Sequence, residues 1–282
     1  MKKIYKLEQE TLVDIHNNIK ISYTEMLSNI KINIIKKTDL FLEFDLIGVD
    51  CSIANALRRV LINEIPVYAI DKIVIHNNTS VLPDEFLAHR IGLIPITCLP
   101  GTDLLSYRLK VYNDENDVRT ITSNDIEGDF LKPDIIIAKL APRQCIDMEM
   151  TAEINIGKVH SKWSPVCPAT YKLMPIIEIG DFYDDQALKL KNCFSDGVIE
   201  IVNENGKQKA VVVNPRLDSM SREVLRHKEF ENSVFLGRKN DYFIFTIESV
   251  ALDPIYLVNK ALEIIINKLD NLNQELQDYK NN

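Results

Sequence analysis

The residues able to do chemistry are scattered along this chain and do not gather into a site. Its five cysteines, Cys51, Cys98, Cys145, Cys167 and Cys193, include no C-x-x-C pair. Zinc and iron–sulfur sites held within one segment use such pairs, so no metal and no cofactor are expected. An odd number of thiols suits a reducing compartment. The histidines His16, His76, His89, His160 and His227 show no metal-ligand spacing. His89 falls in a short helical stretch with no Ser, Cys or acid placed beside it, so it reads as a structural histidine and not a base. Asp181, Asp184 and Asp185 resemble a carboxylate cluster, but an exposed loop with Asp185 capping a helix explains them more simply. Trp163, the only tryptophan, follows a lysine and precedes Ser164 and Pro165. It could stack on a base, but the commoner use is a buried anchor for its loop. No Gly-rich phosphate loop is present.

What remains is recognition chemistry, concentrated in residues 50–66. Ser52 can cap a helix by accepting a backbone N–H. Pro66 pushes Ile65 out of the helical region and ends the helix. At 100° per residue, Ile53, Ala56, Leu57, Val60 and Leu61 share one face, which should be core. Asn55, Arg58 and Arg59 fill the opposite wedge, with Ile62 among them. A scattered exposed Ile is common. The other reading is a second protein docked on the arginine face, with Ile62 as its apolar contact and the arginines reaching carboxylates or carbonyls. Pattern leaves both open.

The last helix is the second informative element. Asp253 caps it and Pro254 takes the first helical position. Ile255, Val258, Leu262, Ile265, Leu269, Leu272, Leu276 and Tyr279 then recur at alternating spacings of three and four, a heptad seam. The helix would be roughly 40 Å long. Its first half carries a second stripe, Leu257, Ala261 and Ile264, and should be buried on two sides, by its own sheet and by a partner. The second half has only the seam, and no second long amphipathic helix in the chain can cover it.

The elements around these helices are mostly strands. Ile30, Ile32 and Ile34 alternate with polar residues as a half-buried strand, and Leu42, Phe44 and Leu46 form the inner face of the next. Residues 69–76, 105–111, 134–140 and 145–156 read as strands. Pro83, Asp84 and Glu85 open a short helix. Residues 198–202 and 209–213 flank a hairpin turn ending in Gly206. Residues 214–226 read as a loop entering a helix, and 242–250 as a strand. Residues 1–28 are polar and weakly patterned, an extension lying along a neighbour. The 282 residues are 46% apolar and 26% charged with net charge −8. That charge argues against nucleic-acid binding as the main activity. No apolar run is long enough to cross a membrane, and the N-terminus has no apolar signal segment.

Residues 48–66 (GVDCSIANALRRVLINEIP) and 77–95 (NNTSVLPDEFLAHRIGLIP) resemble the two signatures of the α-like subunits of multisubunit RNA polymerases. The resemblance covers nearly everything after about residue 28. Three stretches, 160–175 (HSKWSPVCPATYKLMP), 214–226 (NPRLDSMSREVLR) and 243–249 (FIFTIES), are most similar to the large α-like subunits shared by eukaryotic polymerases I and III. The polymerase II relatives usually carry zinc cysteines in the insert domain and some archaeal ones iron–sulfur cysteines. Both clusters are missing here, so the polymerase II type is the alternative, and a self-pairing structural protein outside transcription a more distant one.

The resemblance implies an α+β fold. A discontinuous dimerisation domain, an antiparallel sheet plus two main helices, would comprise residues 29–66 and 226–282 around a β-rich insert at 67–225. It implies a non-catalytic nuclear subunit that supports transcription of ribosomal RNA, tRNA and 5S rRNA. The alternating aspartates that hold magnesium in polymerase catalytic subunits are absent. The family turns the face matching Asn55, Arg58, Arg59 and Ile62 toward the second-largest subunits of polymerases I and III. Its last helix, here Val258, Leu262, Ile265, Leu269, Leu272 and Leu276, packs on a small α-like subunit as a heterodimer. Small zinc-binding subunits also dock on that pair.

Overall fold

The computed structural model describes residues 4–7, 12–14, 23–101, 105–204, 206–230 and 233–281. Its first strands are β1 (Ile4–Leu7), β2 (Leu12–Asp14), β3 (Lys31–Lys37), β4 (Phe41–Ile47) and β5 (Val67–Asn78). The middle of the chain holds β6 (Ser106–Tyr112), β7 (Arg119–Thr122), β8 (Ile126–Glu127), β9 (Ile136–Leu140), β10 (Cys145–Asn155) and β11 (Val166–Ile179). β12 (Ile199–Glu204), β13 (Lys207–Val212) and β14 (Val234–Ser249) follow. The helices are α1 (Tyr23–Asn29), α2 (Cys51–Asn63), α3 (Asp84–Gly92), α4 (Asp184–Asn192) and α5 (Pro254–Asn281).

The fold is α+β with antiparallel sheets. The largest sheet runs β2, β1, β14, β4, β3, with β11 also on β14. A second runs β5, β10, β6, β8, and β7–β9 and β12–β13 form two-stranded ribbons. Part of the expected N-terminal extension therefore belongs to the chain's own sheet, since Tyr5 pairs with Arg238 and with Asp14. Residues 1–3, 8–11 and 15–22 lie outside the described residues.

By packing, the chain divides into two units. One is Met1–Ile35, Phe44–Ala54 and Tyr171–Phe245; the other is Lys36–Glu43, Asn55–Thr170 and Thr246–Asn282. The boundaries pass through β3, β4, α2, β11 and β14. In the first unit Phe44 stacks on Phe245 with centroids 5.1 Å apart, and Tyr171 meets Phe243 edge-on at 5.3 Å. A neighbouring core joins Phe182, Leu190, Phe230 and Leu236. In the second unit α3 buries Leu87 and Ile91, one helical turn apart, in the same core as Ile70, Leu109, Met148 and Met150.

Several expectations need correction. The N-cap of α2 is Asp50 and not Ser52: the Ser52 backbone N–H donates to Asp50 Oδ1 at 2.9 Å. The buried face of α2 is rotated, with Ala54 fully inside and Ile53 44% exposed in the first turn. β3 is not half-buried; every residue of it is exposed, because neither of its faces is covered by this chain, and it is the edge strand of its sheet. Asp185 is not a cap but lies inside the first turn of α4, behind Tyr183 at the N-cap. Residues 214–226 form no α-helix, only short 3₁₀ turns at Pro215–Leu217 and Glu223–Arg226. Met220 and Arg222 both take left-handed backbone conformations, φ 63° and 57°, which stop a helix from propagating. β11 is a strand that the sequence pattern does not announce, because Pro168 and Pro175 interrupt its alternation.

Candidate interaction surfaces

Helix α2 begins after Gly48, whose φ is +81°; a Cβ there would lie 2.3 Å from the Asn29 carbonyl oxygen, so only glycine fits this approach. At the other end the chain at Gly157 presses against the Ile62 carbonyl, where a Cβ would again come within 2.3 Å. The Lys158 N–H donates to Asn63 O at 2.9 Å. Both ends of the helix are therefore fixed by backbone contacts. Leu57, Val60, Leu61 and Ile65 are buried, while Asn55, Arg58 and Ile62 are half-buried and Arg59 is exposed. The four wedge residues share one side, as the spacing predicted. The Arg58 guanidinium donates to Asn55 Oδ1 from Nε at 3.2 Å and from Nη2 at 2.8 Å. That fork, one turn of helix apart, holds Arg58 in a single orientation and leaves Arg59 extended into solvent.

Helix α5 starts as expected: Asp253 Oδ2 accepts the Tyr256 N–H at 3.2 Å and Pro254 leads the first turn. Its two stripes have different fates. Leu257 and Ala261 are fully buried and Ile264 is partly so. Along the seam Ile255, Val258 and Ile265 are half-buried and Leu262 is just exposed. Beyond them Leu269, Leu272, Leu276 and Tyr279 are 60%, 53%, 55% and 84% exposed. Ile266, next to the seam, is exposed too and widens this face; the run Ile264-Ile265-Ile266 was the signal for it. Lys268, on the inward stripe, pairs with Glu64 just beyond α2.

The residues suspected of chemistry have structural partners. Trp163 is buried and its indole N–H donates to Glu153 O at 3.1 Å. Asp181 pairs with Lys209 at 2.9 Å, and Asp184 Oδ1 accepts the Gln208 N–H at 3.1 Å. Among the described residues no three His, Cys, Asp or Glu side chains converge as a metal site would require.

Sequence reading missed one charged cluster. Asp45, on the strand face expected to be polar, is only 2% exposed. Arg216 Nη1 donates to its Oδ1 and Tyr242 OH to its Oδ2, each at 2.7 Å. The Tyr242 hydroxyl is pushed up to about 12, by burial first and then by its hydrogen bond to Asp45. Strand alternation placed Asp45 in solvent, and nothing local pointed to a partner as distant in sequence as Arg216. The cluster fastens the 214–226 loop to the sheet of the first unit. It is fully paired, so it is suited to holding structure rather than to catalysis.

The class this defines is an α+β protein with a fixed polar helix face and a long terminal helix whose outer seam is uncovered. Residues 43–269 match the RNA polymerase Rpb3/Rpb11 dimerisation domain, and the chain belongs to that family. It is 37% identical to the DNA-directed RNA polymerases I and III subunit RPAC1 of Mus musculus, over 88% of this chain and 85% of that protein. It is 36% identical to the subunit of the same name from Saccharomyces cerevisiae, over 81% and 82% of the two chains. It is 33% identical to the DNA-directed RNA polymerase II subunit rpb3 of Dictyostelium discoideum, over 83% and 91%.

Proposed function

We propose that this chain is the large α-like subunit shared by nuclear RNA polymerases I and III, a non-catalytic platform for their assembly. The observation that carries this reading is the α5 seam. A helix of 28 residues buries one stripe and leaves the outer half of the other, from Leu269 to Tyr279, in water. Exposed apolar faces of this length mark association surfaces. In this reading Val258, Leu262, Ile265, Leu269, Leu272 and Leu276 receive a helix of the small α-like subunit. Residues 29–66 and 226–282 make up the dimerisation domain. Asn55, Arg58, Arg59 and Ile62 receive the second-largest subunit, with the Arg58–Asn55 fork preset for carboxylates or carbonyls. Small zinc-binding subunits join the pair, and the chain serves the synthesis of ribosomal RNA, tRNA and 5S rRNA. Names of the relatives and the absence of clustered insert cysteines favour this over the polymerase II type.

Purification of the tagged chain from native cells tests it. The large subunits of both polymerases I and III should accompany it. Recovery of polymerase II alone, or of no large subunit, contradicts the proposal.

A further inference from the structure

Helix α2 is stopped at one end by Pro66, which has no N–H to offer the Ile62 carbonyl one turn back. The last turn is instead met by the segment that follows β10. The Lys158 N–H donates to Asn63 O at 2.9 Å. Gly157 lies so close that a Cβ on it would come within 2.3 Å of the Ile62 oxygen and 3.3 Å of the Asn63 Cα. Its backbone is outside the left-handed region, so the contact uses the small size of glycine and not its conformational freedom.

The segment that carries Gly157 is itself anchored. The Val159 N–H closes a turn on Ile156 O at 3.0 Å. Trp163 is buried and donates its indole N–H to Glu153 O on β10 at 3.1 Å, and Lys162 Nζ donates to Ile70 O on β5 at 3.1 Å. A close-packed segment held by two strands transmits a displacement rather than absorbing it. On the other side, the atoms nearest Gly157 belong to the backbone of α2, so no change of rotamer relieves a crowded contact. Ile62 is also the apolar member of the α2 wedge, and Arg59 lies beside it on the same face, one turn back. Bulk at Gly157 therefore pushes on the very turn that carries them. The Arg58–Asn55 fork, nearer the start of the helix, is left intact.

We infer that Gly157 is a positioning residue: by having no side chain it sets the last turn of α2 and so aims Ile62 and Arg59 at the protein the wedge receives. This rests on the assembly reading above.

The test compares Gly157→Ala with the parent chain, each co-expressed with the small α-like subunit so that the heterodimer is the protein measured. The alanine brings bulk without backbone strain. The heterodimer should still form, and its melting temperature should fall by no more than about 10 °C, the range expected of a crowded contact. Its affinity for the second-largest subunit should fall by roughly tenfold or more, because interface geometry has to hold to about 0.5 Å. In an Ile62→Ala background the same substitution should lose most of that effect, since the side chain it aims is gone. Affinity within about twofold of the parent, a loss that simply adds to that of Ile62→Ala, or a Gly157→Ala chain that does not fold overturns the inference, the last because Gly157 would then hold the fold rather than aim the face. If the parent heterodimer itself does not bind the second-largest subunit, the assembly reading falls and the inference with it, so the two failures are told apart.

Discussion

Arg216 and Arg59 carry the same guanidinium, and the structure treats them in opposite ways. Arg216 meets the buried Asp45 at 2.7 Å with Tyr242 on the other carboxylate oxygen. Arg59 stands in solvent beside an arginine already fixed by Asn55. The same contrast divides α5, where Leu257 and Ala261 are sealed inside while Leu269, Leu272 and Leu276 are bare. The inward groups hold this chain together. The outward ones have no task within it that their exposure would serve. Substitutions should therefore fall into two groups, one read by the stability of the chain and the other only by its assembly.

The largest effect belongs to the buried cluster. Asp45→Ala removes the buried carboxylate that Arg216 and Tyr242 both bond, which should cost on the order of 3–5 kcal/mol of folding stability in chemical denaturation. A loss below about 1 kcal/mol would erase the contrast, because such values belong to exposed pairs. The Arg58→Ala/Arg59→Ala double variant should keep the melting temperature of the chain and weaken capture of the second-largest subunit, by on the order of 2–5 kcal/mol if the contact is desolvated. Unfolding of that variant, or normal assembly, would put the wedge in the wrong group.

Smaller changes sharpen the division. Tyr242→Phe removes one hydrogen bond and should cost about 1 kcal/mol near neutral pH. Because folding raises the Tyr242 pKa from 10.0 to about 12, the cluster's stabilisation is complete below pH 10 and fades between pH 10 and about 12. Denaturation across that range should show the loss in the parent chain and a weaker slope in Tyr242→Phe. Lys268→Ala breaks only the surface pair with Glu64 and should shift stability by less than about 1 kcal/mol.

How legible these regions were follows from the range of the interactions that make them. The α5 cap, its seam and its second stripe are written at spacings of three and four, and the helix formed as read. The α2 wedge was legible for the same reason, though the exact buried face was not, since Ile53 sits in the first turn and Ala54 takes the inner position. Strands were found where residues alternate, as in β4 and β6, and missed where prolines break the alternation, as in β11. Burial of β3 does not follow from its alternation, which reports a strand's pattern and not whether anything covers its faces. The Asp45–Arg216–Tyr242 cluster depends on segments far apart in sequence, and no local pattern announces it.

The central claim is that the outer seam of α5 is the surface for a different protein. The direct measurement is the mass of the complex formed when the chain is co-expressed with the small α-like subunit, for the parent sequence and for Leu269→Asp. Leu269 is exposed and lies beyond the buried stripe, so the substitution should leave the chain's own melting unchanged. Burying a carboxylate in the seam should cost several kcal/mol of association. The account predicts a one-to-one heterodimer for the parent chain and its absence for Leu269→Asp. A stable homodimer in the presence of that partner, or a Leu269→Asp chain that still captures it, would contradict the account.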